Sequence, residues 1–371
     1  MPPKRCSKLK NNPMTKRLKK VRASALKDLD AFLITNNANV RYTSGFSGSY
    51  AFIILTADET FLFTDGRYME QATQECPACS IVRLEGAWVP FIARFIRSKG
   101  WKRIGFESSA VSYQEWLDLS RELADVGLIP TGDPIGELRL IKDEHEIAAI
   151  KHACRIADMT ISHILDVLRP GMEERELALA VDCFIRRAGA EKEAFETLVA
   201  SGPRSALPHG KPSGRTISPG EFVLLDFGAR FEGYNSDITR TFVLNKADSR
   251  QREIHQAVHE AQTRAIEAIR PGRKGGEIDE IARSYLEQKG FGNLFDHSLG
   301  HAVGLEVHDG PKHGRVLTRK SEIVLQEGMV LTVEPGVYIA GYGGVRIEDD
   351  VLVTKSGVEV LTHAPHDLVR D

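Results

Sequence analysis

The sequence predicts an α/β amino-terminal domain followed by an α+β carboxy-terminal domain. Three observations carry this. Strand-like and helix-like segments alternate through the first part of the chain. A turn-rich stretch, Pro-Thr-Gly-Asp-Pro-Ile-Gly at residues 130–136, then interrupts the pattern. Beyond it, long helical patterns stand apart from β-hairpin patterns, the mark of an α+β arrangement. A chain of 371 residues also accommodates two cores more readily than one.

The elements follow in chain order. The first 22 residues hold nine Lys or Arg and no acid. No amphipathic or aromatic pattern accompanies the charge, so residues 1–25 are expected to be a disordered basic tail, with Met14 an alternative start. The first domain is placed at residues 26–135. Within it, residues 30–35 read as a strand, and 51–56 with 60–64 as a hairpin. Residues 68–75 read as a helix, 81–84 as a strand, 88–98 as an amphipathic helix, 103–107 as a strand and 113–124 as a helix. Residues 130–136 are expected to be the linker.

The second domain is placed at residues 138–371. It opens with a helix over 143–168 that stops at Pro170-Gly171, and a second over 174–188. Hairpins are expected over 222–242 and 329–353. Between them a helix spans 249–269 and closes at Pro271-Gly272.

Composition narrows the function. With 42% hydrophobic and 27% charged residues, the chain has the make-up of an ordinary globular protein. A net charge of −2 gives no reason to expect nucleic acid or a membrane surface as partner. There is no apolar run near the ~20 residues of a membrane helix and no signal-peptide core. Five cysteines do not suggest a disulfide framework, which favours a cytoplasmic location. The lone Cys76-Pro-Ala-Cys79 lacks the second pair of a zinc ribbon and reads as ordinary surface cysteines.

Four acids sit where acids are costly. Asp226 ends the apolar run Val223-Leu-Leu. If Glu232-Gly233 form the turn, Asp226 pairs with Thr239 and lies diagonal to Asp237. Glu334 closes Val330-Leu-Thr-Val333, and Glu348 shares a strand face with Arg346 at period two. Any one of these acids alone reads as a strand-end charge facing water. Four beside Val, Ile and Leu runs require cations or protons. Between the hairpins lies His297-Ser-Leu-Gly-His301-Ala-Val-Gly-Leu-Glu-Val-His308. His297 and His301 have helical zinc-site spacing, but Gly300 and Gly304 argue against a helix. Two divalent cations balance the four carboxylates, and one neutral imidazole completes the set. Such oxygen-rich ligands suit Mn²⁺ or Co²⁺ better than a thiolate-loving ion. Two metals sharing carboxylates can hold a bridging water, lower its pKa and polarise a carbonyl.

These residues belong to a longer series: Asn39-Val-Arg-Tyr-Thr-Ser-Gly-Phe-Ser-Gly48, Thr64-Asp-Gly-Arg-Tyr68, Ser201-Gly-Pro-Arg-Ser-Ala-Leu-Pro-His209, Leu225-Asp-Phe-Gly228, Ser236-Asp-Ile-Thr-Arg-Thr241, Gly300-His-Ala-Val-Gly-Leu-Glu-Val-His308, Val333-Glu-Pro-Gly336 and Gly344-Val-Arg-Ile-Glu-Asp349. In these motifs the chain resembles the Xaa-Pro dipeptidase (prolidase) and Xaa-Pro aminopeptidase group of the pita-bread (M24) metallopeptidases. The resemblance runs from about Leu29 onward. It implies a creatinase-like amino-terminal domain, a pita-bread catalytic domain and a homodimer. It implies Asp226, Asp237, His301, Glu334 and Glu348 as metal ligands, with Asp237 and Glu348 bridging two divalent ions, Mn²⁺ first and Co²⁺ or Zn²⁺ as alternatives. His209 and His308 match substrate-binding histidines, His308 at the developing oxyanion. Arg346 matches an arginine that orients ligands, and Glu334 a proton shuttle. The implied substrate is a small peptide with proline at position two, dipeptide or longer, cleaved through a metal-bridging hydroxide. A creatinase-like amidinohydrolase and a non-catalytic peptide-binding relative are the rivals. The complete ligand set disfavours both.

Overall fold

A computed structural model of the chain describes residues 13–370. They divide into two compact units, one ending at Arg139 and one beginning at Leu140. No helix among the described residues is long and apolar enough to cross a membrane.

The first unit is a six-stranded sheet with helices. Its elements are α1 (Pro13–Ala25), β1 (Ala31–Ile34), α2 (Asn37–Ser44), β2 (Phe52–Leu55), β3 (Thr60–Thr64), α3 (Met69–Glu75), β4 (Ser80–Arg83), α4 (Trp88–Lys99), β5 (Arg103–Glu107), α5 (Tyr113–Glu122), β6 (Gly127–Thr131) and α6 (Pro134–Arg139). The strand order is β4-β3-β2-β1-β5-β6, with β1, β2 and β3 antiparallel and the outer pairs parallel. Alternate strand residues point to one face. There Leu33, Ile54, Phe61 and Phe63 pack with Ile92, Ile96 and Leu119 from α4 and α5.

Three expectations need correction here. Residues 1–12 of the expected tail lie outside the described residues, but residues 13–25 form helix α1. Leu18, Val21 and Ala25 are buried at i, i+3 and i+7. Two of the helix's arginines also have partners: the Arg17 guanidinium lies 4.4 Å from the Tyr42 ring centroid, and Arg22 donates to Thr56 O at 2.9 Å. A dense run of charge hid a narrow apolar stripe. The turn-rich stretch at 130–136 is likewise not a linker, because Pro130 and Thr131 end β6 and Pro134 starts α6. Proline costs little at the first helical position, and Asp133 Oδ1 caps Gly136 N at 2.7 Å. Finally, Cys76 is not a surface cysteine. It is buried behind α3, and its carbonyl accepts from Cys79 N at 3.0 Å. The four described cysteines are free thiols.

The second unit repeats one pattern twice. Its first half is α7 (Glu144–Val167), α8 (Glu174–Arg187), β7 (Lys192–Glu193), β8 (Leu198–Ser201), β9 (Phe222–Phe227), β10 (Ala229–Phe231), β11 (Tyr234–Asn235) and β12 (Ile238–Leu244). Its second half is α9 (Ser249–Ala268), α10 (Gly275–Gln288), β13 (Val330–Val333), β14 (Gly336–Ile339), β15 (Gly343–Arg346) and β16 (Asp349–Val353), with β17 (Val358–Val360) and β18 (Val369–Arg370) to finish. Each long helix is followed by Pro-Gly with the glycine in the left-handed region, Gly171 at φ 91° and Gly272 at φ 90°. Helices α7 and α8 bury Ile156, Ile161, Leu177 and Val181 with Leu225, Phe227 and Phe242. Helices α9 and α10 bury Ile254, Val258, Ile278 and Leu286 with Leu331, Val333, Val345 and Val351.

The hairpins aim the acids. Glu232 at φ 49° and Gly233 at φ 82° form the turn between β10 and β11, and both positive angles suit a type I′ turn. The register then sets Asp226 opposite Thr239. At Gly228 an added Cβ would strike Ser236 O, so a side chain there would push the strands apart. The second hairpin is broken into two pairs, β13 with β16 and β14 with β15. Glu334 and Glu348 fall in the break between them. A bridge from Thr239 to Glu348 joins the two hairpins.

Glu107 generates a test in the first unit. It is fully buried and accepts from Thr35 N, Asn36 N and Asn39 Nδ2 at 2.7–2.8 Å. Burial raises its carboxyl from 4.5 to about 7, against the pull of those donors. The folded unit thus keeps a proton that the unfolded chain releases. The associated stability is complete below pH 4.5 and is lost as pH rises through about 7. Glu107→Gln should flatten this slope. Trp88, Trp101 and Trp116 all lie in the first unit, so fluorescence-monitored urea midpoints at several pH values read it directly.

Candidate metal centre

His301 sits on an extended segment, not a helix. It exchanges backbone and side-chain bonds with Thr332: His301 N donates to Thr332 Oγ1 at 3.1 Å, and Thr332 N donates to His301 O at 2.8 Å. This close pairing needs Gly300, where a Cβ would strike Thr332 O. The imidazole Nδ1 lies 3.2 Å from Ala302 O, an atom that can only accept, so the proton belongs on Nδ1. Nε2 then turns its lone pair toward the acids. It lies 3.6 Å from Asp237 Oδ2 and 3.7 Å from Glu334 Oε1. Burial holds this imidazole neutral, its pKa down to about 3, with His308 adding to the effect.

The carboxylates crowd the same point. Asp237, His301 and Glu348 offer ligand atoms that all lie within 4.8 Å of one another. Burial pushes the Asp237 carboxyl far above the usual range, and Glu348 and Asp226 push it further. Glu348 is raised in the same way, by burial and then by Glu334 and Asp226. Glu334 rises to about 8, through burial first. Asp226 is raised by burial but restrained by Arg346. Its Oδ1 is buried without a hydrogen-bond partner.

These observations fit divalent cations. A lone pair facing carboxylates is repulsive unless a positive ion stands between them. Two ligands of one ion, each ~2.1 Å from it, are spaced roughly 3–3.5 Å apart, close to the gaps around Nε2. The donors are oxygens and one imidazole, with no thiolate.

The surrounding residues hold the acids in place. Arg346 is buried. Its Nη2 donates to Asp226 Oδ2, Nε donates to Thr239 Oγ1 at 3.0 Å, and Nη1 reaches Tyr338 Oη at 2.9 Å and Pro208 O at 3.0 Å. The Thr239 hydroxyl passes its own proton bond to Glu348 Oε2 at 2.6 Å. Asp350 Oδ2 accepts from Asp237 N at 2.8 Å and from Cys154 Sγ at 3.4 Å. The buried pair Lys142 Nζ–Asp309 Oδ2, at 3.2 Å, anchors the turn that follows His308.

A cavity of about 390 Å³ opens onto this cluster. Every residue singled out from the sequence lines it: Asp226, Asp237, His301, Glu334, Glu348, Arg346, and the exposed His209 and His308. The rings of His301 and His308 lie 4.0 Å apart. Sequence reasoning gave no role to three neighbours, His297, Tyr338 and Phe195. His297 lines the cavity and bonds to Tyr338 Oη at 3.0 Å. Its place in the histidine-rich run was a usable signal, although rejecting helical spacing left it without an assigned role. Phe195 also lines the cavity, and no pattern in its segment marks it.

Comparison with known proteins identifies the family. The profile of metallopeptidase family M24 matches residues 148–355, and that of the creatinase/prolidase N-terminal domain matches residues 17–141. The chain belongs to metallopeptidase family M24. Its fold is a creatinase-type amino-terminal domain followed by the M24 pita-bread domain. Among M24 relatives, it is 40% identical to the Xaa-Pro dipeptidase of Pyrococcus horikoshii over 346 residues, which is 92% of this chain and 95% of that one. A solved Xaa-Pro dipeptidase from Bacillus anthracis superposes with a TM-score of 0.91 at 39% identity, covering 96% of this chain and 99% of that one. An X-Pro aminopeptidase from Thermotoga maritima gives 0.85 at 38% identity, covering 92% and 98%.

Crowding of like charges predicts a stability signature. In chelator at pH 8, Asp237→Asn should raise the thermal midpoint, by roughly 2–6 °C for a relief of 1–2 kcal/mol. Mn²⁺ should then raise the wild-type midpoint more than that of the variant. A chelated variant no more stable than wild type contradicts the crowding.

Proposed function

We propose that this M24 protein hydrolyses the bond between an amino-terminal residue and a following proline, in dipeptides or short peptides, with two Mn²⁺ ions. The observation that carries the proposal is the convergence of Asp226, Asp237, His301, Glu334 and Glu348 on one cavity that His209 and His308 also line. Relatives named Xaa-Pro dipeptidase at 40% identity support the substrate class. A homodimer and a cytoplasmic location complete the proposal, the latter in keeping with four free thiols.

The five clustered residues would hold the ions, Asp237 and Glu348 serving both. When bound, such a pair acidifies a water and polarises a carbonyl. The rest falls to the protein. His308 donates to the oxygen of the scissile carbonyl as negative charge develops there. His209 lies at the amide side of the bond. Glu334 accepts the proton of the attacking water and delivers it to the proline nitrogen, which must be protonated to leave. Arg346 favours the charged form of Asp226, against burial, and through Thr239 orients the carboxylate of Glu348. Proline explains the need for a dedicated enzyme, because its nitrogen has no hydrogen for a general protease to bind and its ring fixes φ.

The test compares Ala-Pro, Ala-Pro-Ala-Ala and Ala-Ala after loading with Mn²⁺, Co²⁺ or Zn²⁺. Cleavage is expected only before proline. His301→Ala and Asp237→Ala should abolish it with circular dichroism unchanged, and His308→Ala should lower kcat on the order of 10²-fold. Turnover of Ala-Ala at the Ala-Pro rate, or an active His301→Ala, removes the assignment.

A further inference from the structure

The chain between β8 and β9 carries His209, and its two legs meet on one buried carboxylate. Glu174, the first residue of α8, has no exposed surface. Its Oε1 accepts from Ser201 N at 2.8 Å and from Ser201 Oγ at 2.9 Å, on the departing leg. Its Oε2 accepts from Ser213 N at 3.0 Å and from Ser213 Oγ at 2.6 Å, on the returning leg. Arg204 adds a strut: Nε donates to Glu174 Oε2 at 3.2 Å, while Nη2 donates to Lys211 O at 2.6 Å, just beyond His209. The returning leg is also tied to the start of α8 by Glu174 N to Arg215 O at 3.0 Å and Arg175 N to Ser213 O at 3.1 Å.

A buried acid is costly unless its oxygens are occupied. Here burial pushes the carboxyl up, yet the donors of Ser213 and Ser201 outweigh it and leave the group below its usual value. The ionised form, with acceptor capacity on both oxygens, is therefore the one the fold selects. The helix N-terminus favours it further.

We propose that Glu174 is a positioning residue for His209: its two oxygens clamp the two legs of the His209 loop and so set where the imidazole stands over the carboxylate cluster. The inference rests on the role proposed above for His209 at the scissile bond. Glu174 itself lines neither the cavity nor the cluster. Glutamine in its place keeps shape and burial but has one acceptor oxygen. Its amide hydrogens would face the donors of one leg, and that leg would be released.

The test is a double-mutant cycle on the full-length Mn²⁺-loaded protein with Ala-Pro as substrate. Glu174→Gln should lower kcat/KM on the order of 10- to 100-fold, the scale of a catalytic group displaced by about 1 Å. In a His209→Ala background the same change should cost nothing more. In a His308→Ala background it should cost its full factor. Bound Mn²⁺ per chain should equal wild type. Losses that multiply in the His209 cycle, or loss of Mn²⁺, overturn the proposal. Wild-type turnover by His209→Ala alone instead overturns the role of His209, so the two failures are distinct. Should Glu174→Gln not fold, Ser213→Ala removes a single donor to Oε2 and runs the same cycle with the same readings.

Discussion

The second unit is organised around a repulsion. Four carboxylates and the lone pair of a neutral imidazole are turned toward one another at the floor of a cavity, largely withdrawn from solvent. Nothing in the polypeptide neutralises them fully: Arg346 reaches Asp226 directly and Glu348 through Thr239. The arrangement makes sense as a frame whose missing charge is supplied by ions, and the cost of assembling it is met by the two cores behind the hairpins. Activity and unaided stability therefore pull in opposite directions at this spot.

Around that frame lies a layer of groups whose purpose is orientation. Asp350 holds the backbone of Asp237, Thr239 fixes the carboxylate of Glu348, and Ala302 O selects the tautomer of His301. Buried carboxylates also brace the chain near His209 and His308: Glu174 joins the two legs of the His209 loop, and the Asp309–Lys142 pair anchors the turn after His308.

Much of this was legible in the sequence, and for identifiable reasons. Acids at the ends of apolar strands are improbable unless cations or protons compensate them, so Asp226, Asp237, Glu334 and Glu348 could be singled out before any coordinates. The pairing of Asp226 with Thr239 followed from a two-residue turn at Glu232-Gly233. What escaped was less periodic or was masked. The stripe Leu18, Val21 and Ala25 was lost among lysines, and Pro134 looked like a linker residue because helix starts and turns share a vocabulary. The break in the second hairpin was invisible because residues 330–333 and 349–353 read as one continuous ladder. Glu174 bonds to Ser201 and Ser213, 27 and 39 positions along the chain, and local pattern carries no record of such pairings.

The duplicated plan of the second unit has one more implication. Asp226 and Asp237 come from its first half; His301, Glu334 and Glu348 come from its second. Neither half carries the cluster by itself, and a bridge from Thr239 to Glu348 joins the two halves beside it. The cluster is therefore complete only when both halves are folded and docked, and any slip along the seam between them would spread its members apart.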